Sequence, residues 1–211
     1  MSASFDHLPK LHSRRYDTTS YLDGDQIKVV GVVHDVKPAG LYIVDDPEPL
    51  GIHQMQVVLT VETTSLTIID ADVSFSINPH EQCPSITEHY RKLIGLSVSR
   101  GFSSKVRELF GGPRGCSHTT ALLLAMGPVV TQSLWSMSVV RSRDTGVNPF
   151  SSDGADIAMA NLNTCHIWAE DGDHVAQVRA GTSIDVPVWI TNRYKELGRS
   201  VDEWTAHRRT N

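Results

Sequence analysis

The chain has 211 residues, 40% of them hydrophobic and 20% charged, with a formal net charge of −5. That length supports one domain with a sizeable core, and the composition is that of a soluble globular protein. The acidic balance excludes a general binder of nucleic acid or anionic membrane, which needs a basic face.

The first twenty residues, MSASFDHLPKLHSRRYDTTS, lack the apolar stretch of a secretory signal, so a cytoplasmic protein is expected. Residues 1–25 read as a polar leader carrying His7, His12, Arg14 and Arg15, mobile or laid across the surface, and 26–211 as a single domain. From Gln26 the valine-rich QIKVVGVVHDVKP reads as a strand ending at Pro38. HQMQVVLTVETTSLTIIDADVSFSI, from His53 to Ile77, reads as a hairpin broken near Glu62 to Ser65, giving at least three antiparallel strands.

Helical signals begin at Pro84. PSITEHYRKLIGL places Ile86, Tyr90, Leu93 and Ile94 on one face, and FSSKVRELFGG places Val106, Leu109 and Phe110 before a glycine stop. Thr119 to Val140 is long and uncharged enough to be weighed as a membrane span. Pro128, Gln132 and the serine and threonine hydroxyls favour a buried central helix, broken or kinked at Gly127-Pro128. Further on, NPFSSDGADI reads as loop, MANLNTCHIWAEDG as helix or strand, GTSIDVPVWI as a short strand and SVDEWTAHRR as a capped terminal helix. Strands first and helices second define an α+β fold, with an antiparallel sheet from the N-terminal half packed against helices from the C-terminal half.

The chemistry concentrates around cysteine and histidine. Three cysteines are too few for a disulfide framework and read as free thiols or ligands, and each has a histidine within three residues: His80 and Cys83, Cys116 and His118, Cys165 and His166. Such nitrogen–sulfur sets suit zinc or iron, although no CxxC pair is present and buried free cysteines are most often small hydrophobes. In GGPRGCSH, glycine and proline lead into a helix start, where the helix dipole favours a thiolate. Cys116 is therefore also readable as a nucleophile with His118 as its base and Gly115 opening the backbone to an oxyanion, although no third group is evident. In HDVKP, alternation puts Asp35 and Lys37 on one face, as a substrate-orienting pair or an ordinary solvated one. His53 opens the next strand and lies near that pair if the two strands are neighbours.

HDVKP, GIHQMQVVLTV, IDADVSFSINPHEQCPSI, the stretch from Leu93 to Gln132 and NLNTCHIW together resemble, in this order, a bacterial family catalogued as domain of unknown function 2889. The resemblance runs from about Val30 to Trp168 and matches its Asp-x-Lys, His-x-Met, Pro-x-x-x-Cys and Gly-Cys-Thr-His-Leu elements. The matched positions are Asp35, Lys37, His53, Met55, Cys83, Gly115, Cys116, His118 and Gln132; Ser117, Thr119 and Gln54 depart from the family's threonine, leucine and acidic residue. The resemblance implies that the polar positions gather in one place. His53, Cys83, Cys116 and His118 would then be a mixed ligand set for a divalent metal (zinc, iron or manganese), with Asp35 or Lys37 shuttling a proton.

The resulting expectation is an enzyme acting on a small organic substrate, aromatic for example, by hydrolytic or lyase-type cleavage, with or without metal assistance. Asp35, Lys37, His53, Cys116 and His118 are its expected catalytic residues. The alternatives are a non-catalytic small-molecule or metal-binding protein and a structural subunit using Thr119 to Val140 as an interface. The expected partner is a small molecule, with neither nucleic acid nor membrane and with a homo-oligomer allowed.

Overall fold

A computed structural model describes residues 5, 7–99, 101–145, 161–181 and 186–209. Four strands, β1 (Ser13–Asp23), β2 (Gln26–Lys37), β3 (Leu50–Glu62) and β4 (Ile68–Ile77), form one antiparallel sheet in sequence order. A 3-10 segment (Cys83–Leu93) follows, then α1 (Phe102–Phe110) and α2 (Ser117–Thr145). The later helices are α3 (Asp173–Arg179), α4 (Val188–Glu196) and α5 (Val201–Arg209). The fold is α+β, its N-terminal sheet packed against helices.

Alternation along β2 decides which side chains enter the core. Ile27, Val29, Gly31, Val33 and Asp35 are buried, while the residues between them face outward or stay half-exposed. The register sets them opposite β3 residues of the same face, Val33 against Met55 and Asp35 against His53. The helical layer completes the core with Phe102, Val106 and Phe110 of α1 at four-residue spacing, and with Leu122, Leu123, Met126 and Val130 of α2. Each such side chain contributes about 1.5–3 kcal/mol by leaving water.

One glycine sets how closely α2 approaches the sheet. A Cβ at Gly31 would stand 2.6 Å from Met126 Sδ and 3.1 Å from Leu122 Cδ1, so the strand has no side chain where the helix crosses it.

Several expectations change on the structure. Ser13–Asp23, part of the segment read as a leader, is the edge strand β1, turned into β2 through Gly24 at φ 59°. Pro128 lies inside a continuous α2 and does not end it, because buried residues on both sides hold the sheet-facing stripe in place. The segment from Pro84 winds as a 3-10 helix beginning at Cys83. Within GTSIDVPVWI, residues 188–190 open helix α4 instead of a strand, because Pro187 fixes the backbone at a helix start; 182–185 lie outside the described residues, as does NPFSSDGADI. His166–Trp168 forms a short 3-10 turn, and SVDEWTAHRR contains the terminal helix α5, as read, with Asp202 and Glu203 in its first turn. By length and composition Ser117–Arg143 is able to cross a membrane; its N-terminal half, however, supplies the fully buried Leu122, Leu123 and Met126.

The contacts divide the chain into two compact units, Met1–Ser133 and Leu134–Asn211, where the sequence suggested one domain over 26–211. In the second, Val175, Val178 and Ile190 are buried, and Trp168 meets His174 edge-on at 4.7 Å. The sheet, α1 and the start of α2 belong to the first.

The Gly31 contact has a measurable consequence. Gly31→Val is expected to destabilise the fold by about 1–3 kcal/mol, the usual cost of overpacking, read as a lower urea midpoint with an unchanged m-value. A Gly31→Val, Met126→Ala double variant is expected to regain part of that loss.

Candidate active site

The site forms around Asp35, the last buried position in the core-facing row of β2 and 1% exposed. A carboxylate so placed must be paired, and both flanking strands supply partners. Arg14 stands opposite it on β1 and donates twice, Nε to Oδ1 at 2.6 Å and one terminal nitrogen to Oδ2 at 2.7 Å. His53 stands opposite it on β3, with Nδ1 3.3 Å from Oδ2. His12 approaches the same oxygen at 3.6 Å. A row of arginine, aspartate and histidine thus crosses three neighbouring strands.

From above the sheet, α2 brings His118. Its Nε2 lies 3.0 Å from Asp35 Oδ2, and its ring stacks on His53 with centroids 4.0 Å apart. With Nε2–H donated to the carboxylate, Nδ1 is left as an acceptor, and it faces Cys116 Sγ at 3.7 Å. Cys116, His118 and Asp35 therefore form a thiol–imidazole–carboxylate relay, with Arg14 at its far end.

Backbone geometry holds the thiol in place. Cys116 N–H donates to the Tyr90 hydroxyl at 2.7 Å, and that hydroxyl faces Cys116 O at 3.4 Å. Tyr90 is fully buried and stacks on Phe110 at 4.7 Å. Gly115 is needed beside it: a Cβ there would fall 2.6 Å from Phe110 O and 3.0 Å from the Tyr90 oxygen. Ser117 and His118 open α2, so their N–H groups belong to a first turn that offers no intrahelical acceptor.

The electrostatics follow from these contacts. The Arg14 hydrogen bonds hold the Asp35 carboxyl at about 2, below the ordinary 3.8, against the opposing effect of burial. Arg14 is correspondingly raised. Burial, then the neighbouring His53 and Arg14, lower His118 from 6.5 despite the attraction of Asp35, so its imidazole is neutral at pH 7. Burial raises the Tyr90 hydroxyl.

A cavity of about 550 Å³ opens beside the relay, and Cys116, Ser117, His118 and His53 line one part of it. Cys83 and His80 line it too, whereas Asp35 and Arg14 do not. Among the described residues, the metal-ligating atoms that converge within 4.8 Å are those of Asp35, His53 and His118. Cys83 and Cys116, expected in the ligand set, are outside that group. His53 Nδ1 is buried and lacks a hydrogen-bond partner.

Of the expected catalytic residues, Asp35, His53, Cys116 and His118 come together, and Lys37 does not. Its ammonium lies over the Tyr42 ring, 5.4 Å from the centroid, beyond the bulge that shifts the register between Asp35 and Val36. Gln54 pairs with His34 on the alternate position of both strands, so the departure there falls on the sheet face away from the site. Cys165 is exposed. Arg14, His12 and Tyr90 were not anticipated as site residues; a strand register for residues 13–23 would have placed Arg14 across from Asp35.

Fold and site together define an α+β protein with a buried aspartate, paired with a partly exposed arginine, beside a histidine–cysteine cavity. Residues 12–132, more than half the chain, match the family described as Protein of unknown function (DUF2889), and the chain belongs to that family. The matched range contains every residue of the cluster, from His12 to His118. No curated protein and no solved structure matches the chain.

The Asp35 pairing predicts how stability responds to acid. A carboxyl held below its unfolded value contributes stability that is complete above about pH 4 and is lost as pH falls toward 2. Denaturant titrations between pH 5 and 2 are expected to show this decline in the wild type and a shallower one in Asp35→Asn. Arg14→Met removes the largest downward influence on Asp35, so its decline between pH 5 and 2 is likewise expected to be shallower, from a lower starting stability. At neutral pH it is expected to cost about 3 kcal/mol, the lower end for a broken buried pair, because Arg14 is partly exposed.

Proposed function

We propose that the protein is a hydrolase acting on a small organic acyl compound, with Cys116 as nucleophile. The observation that carries this reading is the relay, Cys116 Sγ to His118 Nδ1 at 3.7 Å and His118 Nε2 to Asp35 Oδ2 at 3.0 Å. A nucleophile within reach of a base, with the base oriented by a third group, is the arrangement that activates a weak nucleophile.

The chemistry closes without a co-reactant other than water. His118 Nδ1 takes the thiol proton as Cys116 Sγ bonds to the acyl carbon, and the carbonyl oxygen becomes an oxyanion. The first-turn N–H groups of Ser117 and His118 are the donors available to it, since Cys116 N–H is held by Tyr90. Collapse of the tetrahedral species breaks the bond to the leaving group, which takes the proton back from His118. Water, deprotonated by His118, then cleaves the thioester and releases the acid and free Cys116. Asp35 keeps the imidazole in the required tautomer, and Arg14 keeps Asp35 ionised throughout. A cytoplasmic setting suits this chemistry, since it keeps the thiol reduced.

The test uses the three cysteines as mutual controls. Cys116 is expected to react with iodoacetamide faster than Cys83 or the exposed Cys165, by peptide mass mapping at pH 7. His118→Ala is expected to slow Cys116 about 10²-fold, the lower range for loss of a positioned base, with the other two unchanged. A Cys116 no faster than Cys165 and indifferent to His118→Ala would defeat the reading and leave the cavity as a binding site.

A second reading, a divalent metal such as zinc, iron or manganese, is favoured by one observation: the buried His53 Nδ1, which makes no hydrogen bond, beside Asp35 and His118. Asp35, His53 and His118 would hold the ion, three protein ligands with an open position, and the ion would polarise a carbonyl or activate water. Arg14 weighs against it, because its guanidinium already engages both Asp35 oxygens. Metal analysis of purified wild type and His53→Ala separates the two. Near-stoichiometric metal that His53→Ala loses and Cys116→Ser keeps supports the metal, and a folded metal-free wild type excludes it.

A further inference from the structure

We infer that the cavity takes the acyl group of a neutral, apolar or aromatic carboxylic ester or thioester, and rejects acyl groups that carry a charge. This inference rests on the hydrolytic reading of Cys116 and adds to it the class of substrate. The observation behind it is the lining: among the described residues it contains histidines, cysteines and a glutamine but no aspartate, glutamate, lysine or arginine.

The two charges of the site stand outside that lining. Asp35 and Arg14 neutralise each other through two hydrogen bonds, and neither lines the cavity. A carboxylate, phosphate or ammonium on the acyl group would therefore shed water without meeting an opposite charge, which is strongly unfavourable.

The walls of the cavity are apolar. Met55 and Phe75 face each other across β3 and β4, and Pro79 and Ile86 extend that apolar surface beyond the sheet. With the carbonyl at Cys116, the acyl chain or ring has this surface available to it. The volume of about 550 Å³ is in the range of small-ligand sites, enough for a substituted aromatic or medium-chain acyl group. His80 and Gln82 supply hydrogen-bonding groups to the same space.

Labelling and turnover test the inference separately. In full-length protein carrying Cys83→Ser and Cys165→Ser, Cys116 is reacted with benzyl, sulfonatoethyl and trimethylammonioethyl methanethiosulfonates. Each rate is divided by that reagent's rate with free cysteine. The benzyl reagent is expected to be favoured about 100-fold over both charged ones. Gln82→Arg, at an exposed lining position, is expected to raise the sulfonatoethyl rate about 10-fold and leave the benzyl rate within threefold. In the second arm, wild type is expected to hydrolyse p-nitrophenyl benzoate or hexanoate about 100-fold faster than the mono-glutarate ester.

Either charged reagent matching the benzyl one overturns the inference. Turnover that does not discriminate against the glutarate ester also overturns it, while leaving the hydrolytic reading in place. Selective labelling with no ester turnover sinks the hydrolytic reading and upholds the ligand class for a binding cavity.

Discussion

A single carboxylate, almost fully removed from water, governs the architecture around it. Asp35 occupies a position that the alternation of β2 reserves for core side chains, and an unpaired charge there would not be tolerated. Arg14 from one neighbouring strand makes the position habitable, His53 from the other flanks it, and His118 caps it from the helical layer. Three separate parts of the fold are thereby tied to one pair of oxygen atoms. The same pairing that stabilises the charge also orients the imidazole, so structural and chemical roles meet in one group.

Two close backbone approaches then place the thiol relative to that carboxylate. At Gly31 the missing side chain lets α2 settle on the sheet. At Gly115 a second missing side chain lets the turn before α2 pass against Phe110 and Tyr90, whose hydroxyl clamps the Cys116 backbone. Cys116 and His118 are two residues apart on a helix start, so once the helix is seated the thiol has little freedom relative to the imidazole. The cavity beside them belongs to the same sheet edge and 3-10 segment, so its walls and its reactive end are built by one set of contacts.

Much of this was legible in the sequence, and the exceptions have physical causes. The valine-rich period-two pattern of β2 and β3 announced the central strands, and Gly-Pro punctuation announced the start of α2. Cys116, His118, His53 and Asp35 stood out by residue type and position. β1 was missed because an edge strand, exposed along most of its length, has no apolar alternation to display. Its one strong signal, the Gly24-Asp25 pair ahead of a valine run, is a two-residue hairpin loop with glycine first, which the polar composition around it obscured. With β1 went Arg14, and with Arg14 the reason Asp35 can be buried. Lys37 was drawn to Asp35 by simple alternation, but its ammonium lies over the Tyr42 ring, past the point where the β2–β3 register shifts. Cys83 lies along the cavity wall, outside the converging ligand atoms, a distinction that depends on the path of the 3-10 segment.

The pairing of Arg14 with Asp35 spans 21 residues, and that of His118 with Asp35 spans 83. The first closes within a hairpin, where the loss of chain entropy is small; the second requires most of the sheet and both helical segments to be in place. The carboxylate therefore acquires its counter-ion early and its imidazole late during folding. A chain caught between those stages would already have neutralised its buried charge without yet having assembled the relay, so the reactive thiol would emerge only as the last long-range contacts close.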